Sequence, residues 1–258
     1  PGNEKRIRWY RESIHRKTAF AVVYLHGFSA TRQELAPLGE NIADSLGANL
    51  FESRLAGHGH RQNALVNVHA EDWLADGVEA LVVGAAIGER LIVIGTSTGA
   101  TLALAVMEHP LAAAVDSLVL ISPNFGVSDP NARYLTWPGG PQLARLMVGE
   151  TRSWQAHNEL QALYWSTTYP TEALVEMQRL VDFVQDRLPL NLASNLLVFY
   201  SSDDTVIDIA RMLEAYQDAL APRKKLISLR VKGDPGNHVL AGDIMAPENN
   251  ALVTDQVV

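Results

Sequence analysis

The stretch LIVIGTSTGATLALA, residues 91–105, joins a hydrophobic run to an alanine- and leucine-rich run through Gly95-Thr-Ser-Thr-Gly99. The first run predicts a buried strand and the second a helix, so the pattern Gly-x-Ser-x-Gly falls at a strand-to-helix turn. Gly95 and Gly99 have no Cβ, which lets the strand and the helix approach closely. The turn should therefore hold Ser97 in an unfavourable backbone conformation, with its hydroxyl at the edge of a sheet.

This position predicts that Ser97 is a nucleophile. Ligands of open α/β sheets bind at the carboxyl edge of the strands. The helix that follows directs its positive end, and the free N–H of Thr98, to the same place. A serine hydroxyl is a weak nucleophile near neutral pH, so it needs a base, and the base needs an orienting carboxylate.

Apolar runs of strand length alternate with longer amphipathic stretches along the chain. This alternation is typical of a parallel sheet with helices on both faces, and it predicts an α/β fold. Strands are predicted at 19–25, 49–53, 90–94, 115–121, 196–200 and 226–231, and helices at 33–46, 70–86, 98–108, 171–187 and 207–220.

The segment 125–193 interrupts this alternation. It separates two predicted core strands, whereas the loops of βα connections usually have about 2–6 residues. It begins with turn-forming residues and contains several aromatic side chains, which need a surface to pack on. We interpret 1–124 and 194–258 as the core and 125–193 as a cap over one end of the sheet. An ordinary crossover with a long surface loop is the alternative.

The composition is that of a globular protein. The chain has 258 residues, 47% of them hydrophobic and 19% charged, which is enough for one large domain or two small ones. Its net charge of −8 argues against binding to nucleic acid or to anionic membranes. Cysteine is absent, which excludes disulfides and thiolate metal sites, and no apolar run reaches the roughly 18 residues of a membrane span. Because the sequence starts at Pro1 rather than Met, the compartment, cytoplasmic or exported, stays open. The sequence also leaves the oligomeric state open.

The base is expected among the eight histidines. His238 ends the loop Gly233-Asp-Pro-Gly-Asn-His238, which directly follows the last predicted strand. This loop should open at the same edge of the sheet as Ser97. His238 is therefore the predicted base, and an ordinary surface-loop histidine is the alternative.

The orienting carboxylate should follow the preceding strand, where residues 198–207 read VFYSSDDTVI. Asp203 and Asp204 both qualify. The hydrophobic pair that follows at a fixed offset favours Asp204, and Asp203 is the alternative. Asp208 stands at the start of the next helix and is predicted to be its N-cap.

A tetrahedral intermediate needs a second N–H donor besides Thr98. The loop His26-Gly-Phe-Ser29 follows the first long strand, and Gly27 permits a tight turn that directs the N–H of Phe28 toward the nucleophile. Phe28 and Ser29 are also candidates to line an acyl pocket. His26 is predicted to hold the loop by hydrogen bonds rather than to act as the base.

Together these features resemble the α/β-hydrolase superfamily, and within it the small carboxylesterases and monoacylglycerol-lipase-like serine hydrolases. The resembling segments occur in the family's order and cover nearly all of the chain outside the insertion. The order Ser, Asp, His matches the family's catalytic triad. The segments are LHGFSATRQELAPLGENIA (25–43), RLAGHGHR (54–61), VIGTSTGATLALA (93–105), FYSSDDTVI (199–207) and GNHVL (236–240).

The resemblance implies a mostly parallel, eight-stranded sheet flanked by helices, with a helical cap after the sixth strand. It implies ester hydrolysis through an acyl-enzyme, in which Ser97 attacks, His238 acts as base and then as acid, and Asp204 orients His238. The N–H groups of Phe28 and Thr98 would form the oxyanion hole. No cofactor and no metal are expected, because the sequence shows neither a metal-ligand cluster nor a dinucleotide fingerprint.

Three features depart from the family's pattern. Ala100 stands where relatives often have a further glycine, and Tyr200-Ser201 stands where they usually have His-Gly. Neither change removes a catalytic group, so we interpret both as variation in packing. The tail after His238 is short and contains Pro247 and Asn249-Asn250, so the family's final helix should be brief or missing.

The leading hypothesis is a serine carboxylesterase or lipase that acts on small-molecule esters with short to medium acyl chains, monoacylglycerols among them. Ser29 and three residues of the cap, Trp137, Trp154 and Trp165, are predicted to contact the acyl chain. Thioesterase, amidase and aminopeptidase activities use the same chemistry and stay open. A binding protein that kept this fold without catalysis is the alternative of another class.

Overall fold

The structure is a computed structural model that describes residues 2–11, 15–60 and 64–258. Pro1 and Arg61, the last residue of the segment 54–61, lie outside the described residues. Strands and helices follow the predicted alternation. In chain order they are β1 (Arg6–Arg8), β2 (Thr18–Leu25), α1 (Leu38–Leu46), β3 (Asn49–Glu52), α2 (Ala70–Ile87), β4 (Gly88–Thr96), α3 (Thr98–Ala105), β5 (Val115–Ile121), α4 (Gly140–Val148), β6 (Thr151–Ser153), α5 (Glu159–Tyr164), β7 (Thr168–Pro170), α6 (Glu172–Gln185), β8 (Asn195–Tyr200), α7 (Ile209–Asp218), β9 (Lys224–Ser228) and α8 (Asn250–Val257).

Within the described ranges, seven strands form the main sheet, in the order β1-β3-β2-β4-β5-β8-β9. Neighbouring strands are parallel except β1, which pairs antiparallel with β3. The fold is the mostly parallel α/β architecture that was predicted, and the described residues supply seven strands to the main sheet where eight were expected.

Helices cover both faces of the sheet because the side chains of β2 alternate between two cores. Ala21, Val23 and Leu25 are buried with residues of α2, α3, α6 and α7. Val22 and Tyr24 are buried on the opposite face, with residues of α1 and α8. Burying a large aliphatic side chain contributes about 1.5–3 kcal/mol. The alternation therefore fixes which face of the sheet each helix covers.

One predicted helix is divided in the structure, whereas the expectations for two later helices are confirmed. The helix predicted over 33–46 is a 3-10 turn, Arg32–Glu34, followed by α1. Pro37 separates the two pieces because it has no N–H and disfavours helical backbone in the residue before it. Asp208 accepts the N–H of Arg211, which confirms it as the N-cap of α7. The final helix, α8, is short, as expected.

The segment between β5 and β8 contains α4, β6, α5, β7 and α6. β6 and β7 form a separate antiparallel pair. The helix α6 packs on α3, and its residues Met177, Leu180 and Val184 belong to the main core. In contrast, α4 leaves Leu146 and Met147 exposed to solvent. The division into a core and a cap at 125–193 stays a prediction, and its last helix is packed on the core.

Candidate active site

Ser97 occupies the turn between β4 and α3. Its backbone has φ 52° and ψ −118°, a conformation that L-residues rarely adopt and that stores about 1–3 kcal/mol of strain. Hydrogen bonds hold it there: its N–H donates to the carbonyl of Ile121 at 2.9 Å, and its carbonyl accepts the N–H groups of Ala100 at 3.0 Å and Asn124 at 3.3 Å. The predicted strained serine at a strand-to-helix turn is confirmed.

Both glycines beside Ser97 are required by close backbone contacts. A Cβ on Gly95 would lie 2.6 Å from the Cα of Ala100, and a Cβ on Gly99 would lie 2.2 Å from the carbonyl oxygen of Leu25. Neither contact could be relieved by moving a side chain. The first turn of α3 is therefore pressed against the end of β2, where the His26–Ser29 loop begins.

His238 and Asp204 meet at the carboxyl edge of the same sheet. Nδ1 of His238 lies 2.7 Å from Oδ2 of Asp204. The other oxygen of Asp204 accepts the N–H groups of Val206 at 2.8 Å and Ile207 at 3.2 Å. The hydrophobic pair that favoured Asp204 in the sequence thus supplies the N–H groups that fix its carboxylate. Asp203, the alternative, is exposed to solvent.

The loop that carries His238 is organised by a second buried carboxylate, Asp234. Its oxygens accept the N–H groups of Gly236 at 3.0 Å, His238 at 2.9 Å and Val239 at 2.7 Å. These three bonds hold the backbone of the loop around a single carboxylate. The Asp-Pro-Gly sequence is a turn signal, but its role in holding His238 was not predicted.

Ser122 links His238 to Ser97 and was also missed. It is fully buried at the end of β5, and its Oγ donates to the carbonyl of His238 at 2.7 Å. The residue before it, Ile121, accepts the N–H of Ser97. The backbones of Ser97 and His238 are therefore anchored to consecutive residues of one strand end.

The surroundings of His238 favour its charged form. Burial alone would lower its pKa, but the hydrogen bond and charge of Asp204, together with the charges of Asp234 and Glu34, outweigh burial and raise the pKa above its ordinary value of 6.5. The Nδ1 is engaged by Asp204, which leaves Nε2 to exchange a proton with a reacting group.

The loop after β2 lies against the Ser97 turn. A Cβ built on Gly27 would lie 3.4 Å from the Cβ of Ser97. His26 is fully buried, its Nε2 accepts the N–H of Leu55 at 3.1 Å, and its Nδ1 lies 2.9 Å from the carbonyl oxygen of Gly27. Burial lowers the pKa of His26 to about 3. The predicted structural role of His26 is confirmed.

At this edge the backbone N–H groups of Phe28 and Thr98 are among those with no acceptor in the described residues. Thr98 is the first residue of α3, so helix geometry gives its N–H no partner. The ring of Phe28 is held edge-on by His58, Trp73 and Tyr169, at centroid distances of 6.0, 6.0 and 5.1 Å. The arrangement offers two fixed donors to an anion.

The predicted substrate contacts lie in different surroundings. Ser29 is buried and adopts a positive φ of 63°. Trp165 is buried in a small cluster with Val239, next to His238, and Trp154 packs against the same cluster. Trp137 is 59% exposed. A role of these four residues in substrate binding stays a prediction.

In the part of the chain that the structure describes, no group of three or more potential metal-ligating side chains comes together. The described helices also include none with the length and apolar character that crossing a bilayer requires.

Comparisons with known proteins agree with this fold. Residues 16–230 match the model of the family described as serine aminopeptidase, S33. Over 209 residues the chain is 26% identical to a thermostable monoacylglycerol lipase of Bacillus sp. (strain H-257), covering 81% of this chain and 80% of that protein.

Solved structures share the architecture at low sequence identity. A structure from work on the metagenome-derived lipolytic enzymes LipS and LipT has a TM-score of 0.78 and 19% identity, covering 99% of this chain and 96% of that chain. A monoacylglycerol lipase of Paleococcus ferrophilus has a TM-score of 0.66 and 11% identity, covering 98% of this chain and 97% of that chain. The family match spans most of the chain. The chain therefore belongs to the serine aminopeptidase, S33, family of hydrolases, with the α/β-hydrolase fold that lipases and esterases share.

Proposed function

We propose that the protein hydrolyses carboxylic esters of small molecules through an acyl-enzyme on Ser97. The observation that carries this proposal is the 2.7 Å pair of His238 and Asp204 at the sheet edge where the strained Ser97 lies. A binding protein without catalysis would gain nothing from that strain or from a buried imidazole–carboxylate pair, both of which cost stability.

In the proposed reaction, Oγ of Ser97 attacks the carbonyl carbon of the ester while Nε2 of His238 takes the hydroxyl proton. Asp204 stabilises the imidazolium that forms. The carbonyl oxygen becomes an oxyanion and accepts the N–H groups of Phe28 and Thr98. The intermediate then expels the alcohol, which takes the proton from His238. Water, activated by the same imidazole, attacks the acyl-enzyme and releases the acid.

We further propose that residues 125–193 act as a cap that shapes the acyl site. Three contacts of this segment with the catalytic loops support that role. The N–H of Ser166 donates to the carbonyl of Ser29 at 2.7 Å. The Tyr169 ring packs on Phe28, and Trp165 packs beside the His238 loop. Apolar walls of this kind suit short to medium acyl chains, monoacylglycerols among them.

The first experiment is covalent labelling with a fluorophosphonate, followed by hydrolysis of p-nitrophenyl butyrate. We expect one adduct, on Ser97, and loss of both labelling and turnover in Ser97→Ala. Ser202→Ala is the matched control, because Ser202 is an exposed serine near the acid loop, and it should keep full activity. Substantial turnover by folded Ser97→Ala would refute the proposal.

The family's description favours a second candidate reaction, cleavage of an N-terminal amino acid. The same nucleophile and oxyanion donors would serve an amide, which has a poorer leaving group. Matched p-nitrophenyl esters of increasing chain length, an acyl thioester and aminoacyl p-nitroanilides separate the candidates. Ester turnover well above anilide turnover is expected, and the reverse order would assign an aminopeptidase.

A further inference from the structure

Glu34 lies directly behind the loop that carries the N–H of Phe28. The side chain is 3% exposed and belongs to the short 3-10 helix after the loop. A single oxygen, Oε2, accepts both the N–H of Gly27 and the hydroxyl of Tyr24, each at 2.8 Å. The reaction proposed above does not use this carboxylate.

The loop is held between Glu34 and the nucleophile. A Cβ built on Gly27 would lie 2.9 Å from Oε1 of Glu34 on one side and 3.4 Å from the Cβ of Ser97 on the other. The N–H of Ala30 closes the turn on the carbonyl of Gly27 at 3.2 Å. Glu34 thus holds the peptide group that ends in the N–H of Gly27. The next peptide group, whose N–H belongs to Phe28, is held through its carbonyl by Ala30 and by Nδ1 of His26, which lies 2.9 Å from that carbonyl oxygen. With both peptide groups held, the direction of the Phe28 N–H is set.

Burying a carboxylate is costly unless hydrogen bonds satisfy it. The bond to Tyr24 lies on the face of the sheet that packs against α1, whereas the bond to Gly27 reaches the catalytic edge. If the only task were to accept the hydroxyl of Tyr24, a neutral acceptor further from that edge would be sufficient. The bond to Gly27 is the one that connects this costly group to the reaction.

We propose that Glu34 is a positioning residue of the oxyanion hole, which directs the N–H of Phe28 toward the reacting carbonyl oxygen by holding the N–H of Gly27. This inference rests on the proposed function. Because the oxyanion exists only after attack by Ser97, misplacing its donor should lower kcat and leave KM nearly unchanged.

Glu34→Asp and Glu34→Gln form the decisive pair. Aspartate keeps the charge, but its side chain is one methylene shorter, so its oxygens lie further from Gly27. Glutamine has the same length as glutamate and keeps one acceptor oxygen near Gly27. At pH 8, with p-nitrophenyl butyrate, we expect kcat of Glu34→Asp to fall by about 10- to 100-fold with KM within about twofold. Glu34→Gln should stay near the wild type. Affinity for a trifluoromethyl ketone, which forms a tetrahedral adduct with Ser97, should fall with kcat.

Tyr24→Phe is the matched control. It removes the other donor to the same oxygen without touching the loop, so it should lower the melting temperature and leave kcat unchanged. If Tyr24→Phe lowers kcat as much as Glu34→Asp does, Glu34 is merely structural and the inference fails. The inference also fails if the kcat of Glu34→Asp equals that of a wild type that is labelled at Ser97 and hydrolyses the ester. In that case the proposed function still stands. A wild type that neither labels nor hydrolyses overturns both.

Discussion

At the scale of single residues, the proposed reaction gives two neighbouring aspartates different roles. Asp204 is buried and hydrogen-bonds His238, whereas Asp203 is exposed to solvent. Asp204→Asn removes the charge that stabilises the imidazolium and permits the wrong tautomer, so kcat/KM should fall by about 10³- to 10⁴-fold. Asp203→Asn should change it by less than about threefold, because most surface substitutions are nearly neutral. Equal losses in the two variants, measured with p-nitrophenyl butyrate, would contradict the assignment of Asp204.

The pH dependence of the reaction also belongs to one residue, His238. Burial opposes its charge, but Asp204, Asp234 and Glu34 raise its pKa above 6.5. The base must be neutral to take a proton, so kcat/KM should rise with pH through this pKa and be lost below it. We expect the midpoint of the acid limb above pH 6.5. A midpoint well below 6.5 in the kcat/KM profile would show that burial outweighs the three carboxylates.

At the scale of elements, the contact between α3 and β2 sets the geometry of the site. A Cβ on Gly99 would lie 2.2 Å from the carbonyl oxygen of Leu25 and 2.5 Å from that of His26. Gly99→Ala must therefore push α3 away from β2, and we expect a loss of about 3 kcal/mol or more in the free energy of unfolding.

Gly39 in α1 offers the control for that substitution. A Cβ there would meet Leu50 at 3.5 Å, an ordinary van der Waals distance. Gly39→Ala should leave stability unchanged or raise it by up to about 1 kcal/mol through helix propensity. Urea denaturation of both variants measures the difference. Equal midpoints would mean that α3 and β2 do not approach as closely as the structure has them.

How much of these elements could be predicted depends on the range of the determining contacts. The Ser97 turn carries a local signature, the glycines on either side of the serine, so the sequence predicts it, although Ile121 and Asn124 also hold it in place. The pairing of His238 with Asp204 follows from loops after strands that end at one edge. In contrast, the bond of Ser122 to His238 joins residues far apart in sequence. The bonds of Glu34 to Gly27 and Tyr24 are closer in sequence, but they depend on how the short 3-10 helix folds back on the loop, and no local pattern marks them.

At the scale of the whole molecule, the α/β architecture was predictable from the alternation of buried strands and helices. The number of strands was not, because the resemblance implied eight and the described residues supply seven to the main sheet. Pro37 is a sequence signal for the break before α1. The helical spacing of the apolar residues nevertheless led to the prediction of one continuous helix over 33–46. Register, edge strands and the packing of α6 on α3 are decided by tertiary contacts.

The stability of the whole fold should depend on pH through Glu34. Burial raises its pKa from 4.5 to about 7, so between these values the folded state keeps a proton that the unfolded state releases. The free energy of unfolding should therefore fall as pH rises from about 4.5 to about 7, by on the order of 3 kcal/mol from this group. Glu34→Gln removes the titration and keeps an acceptor, so its stability relative to the wild type should grow over this interval and level off above it.

Urea denaturation at a series of pH values measures this difference, since titrations common to both proteins largely cancel. Glu89→Gln, at an exposed glutamate at the start of β4, is the control for the same chemical substitution at the surface. A flat difference for Glu34→Gln would mean that Glu34 is ionised in the folded protein across the whole interval. The hydrogen bonds from Gly27 and Tyr24 would then offset its burial in full, and the loop would rest on a permanently charged carboxylate.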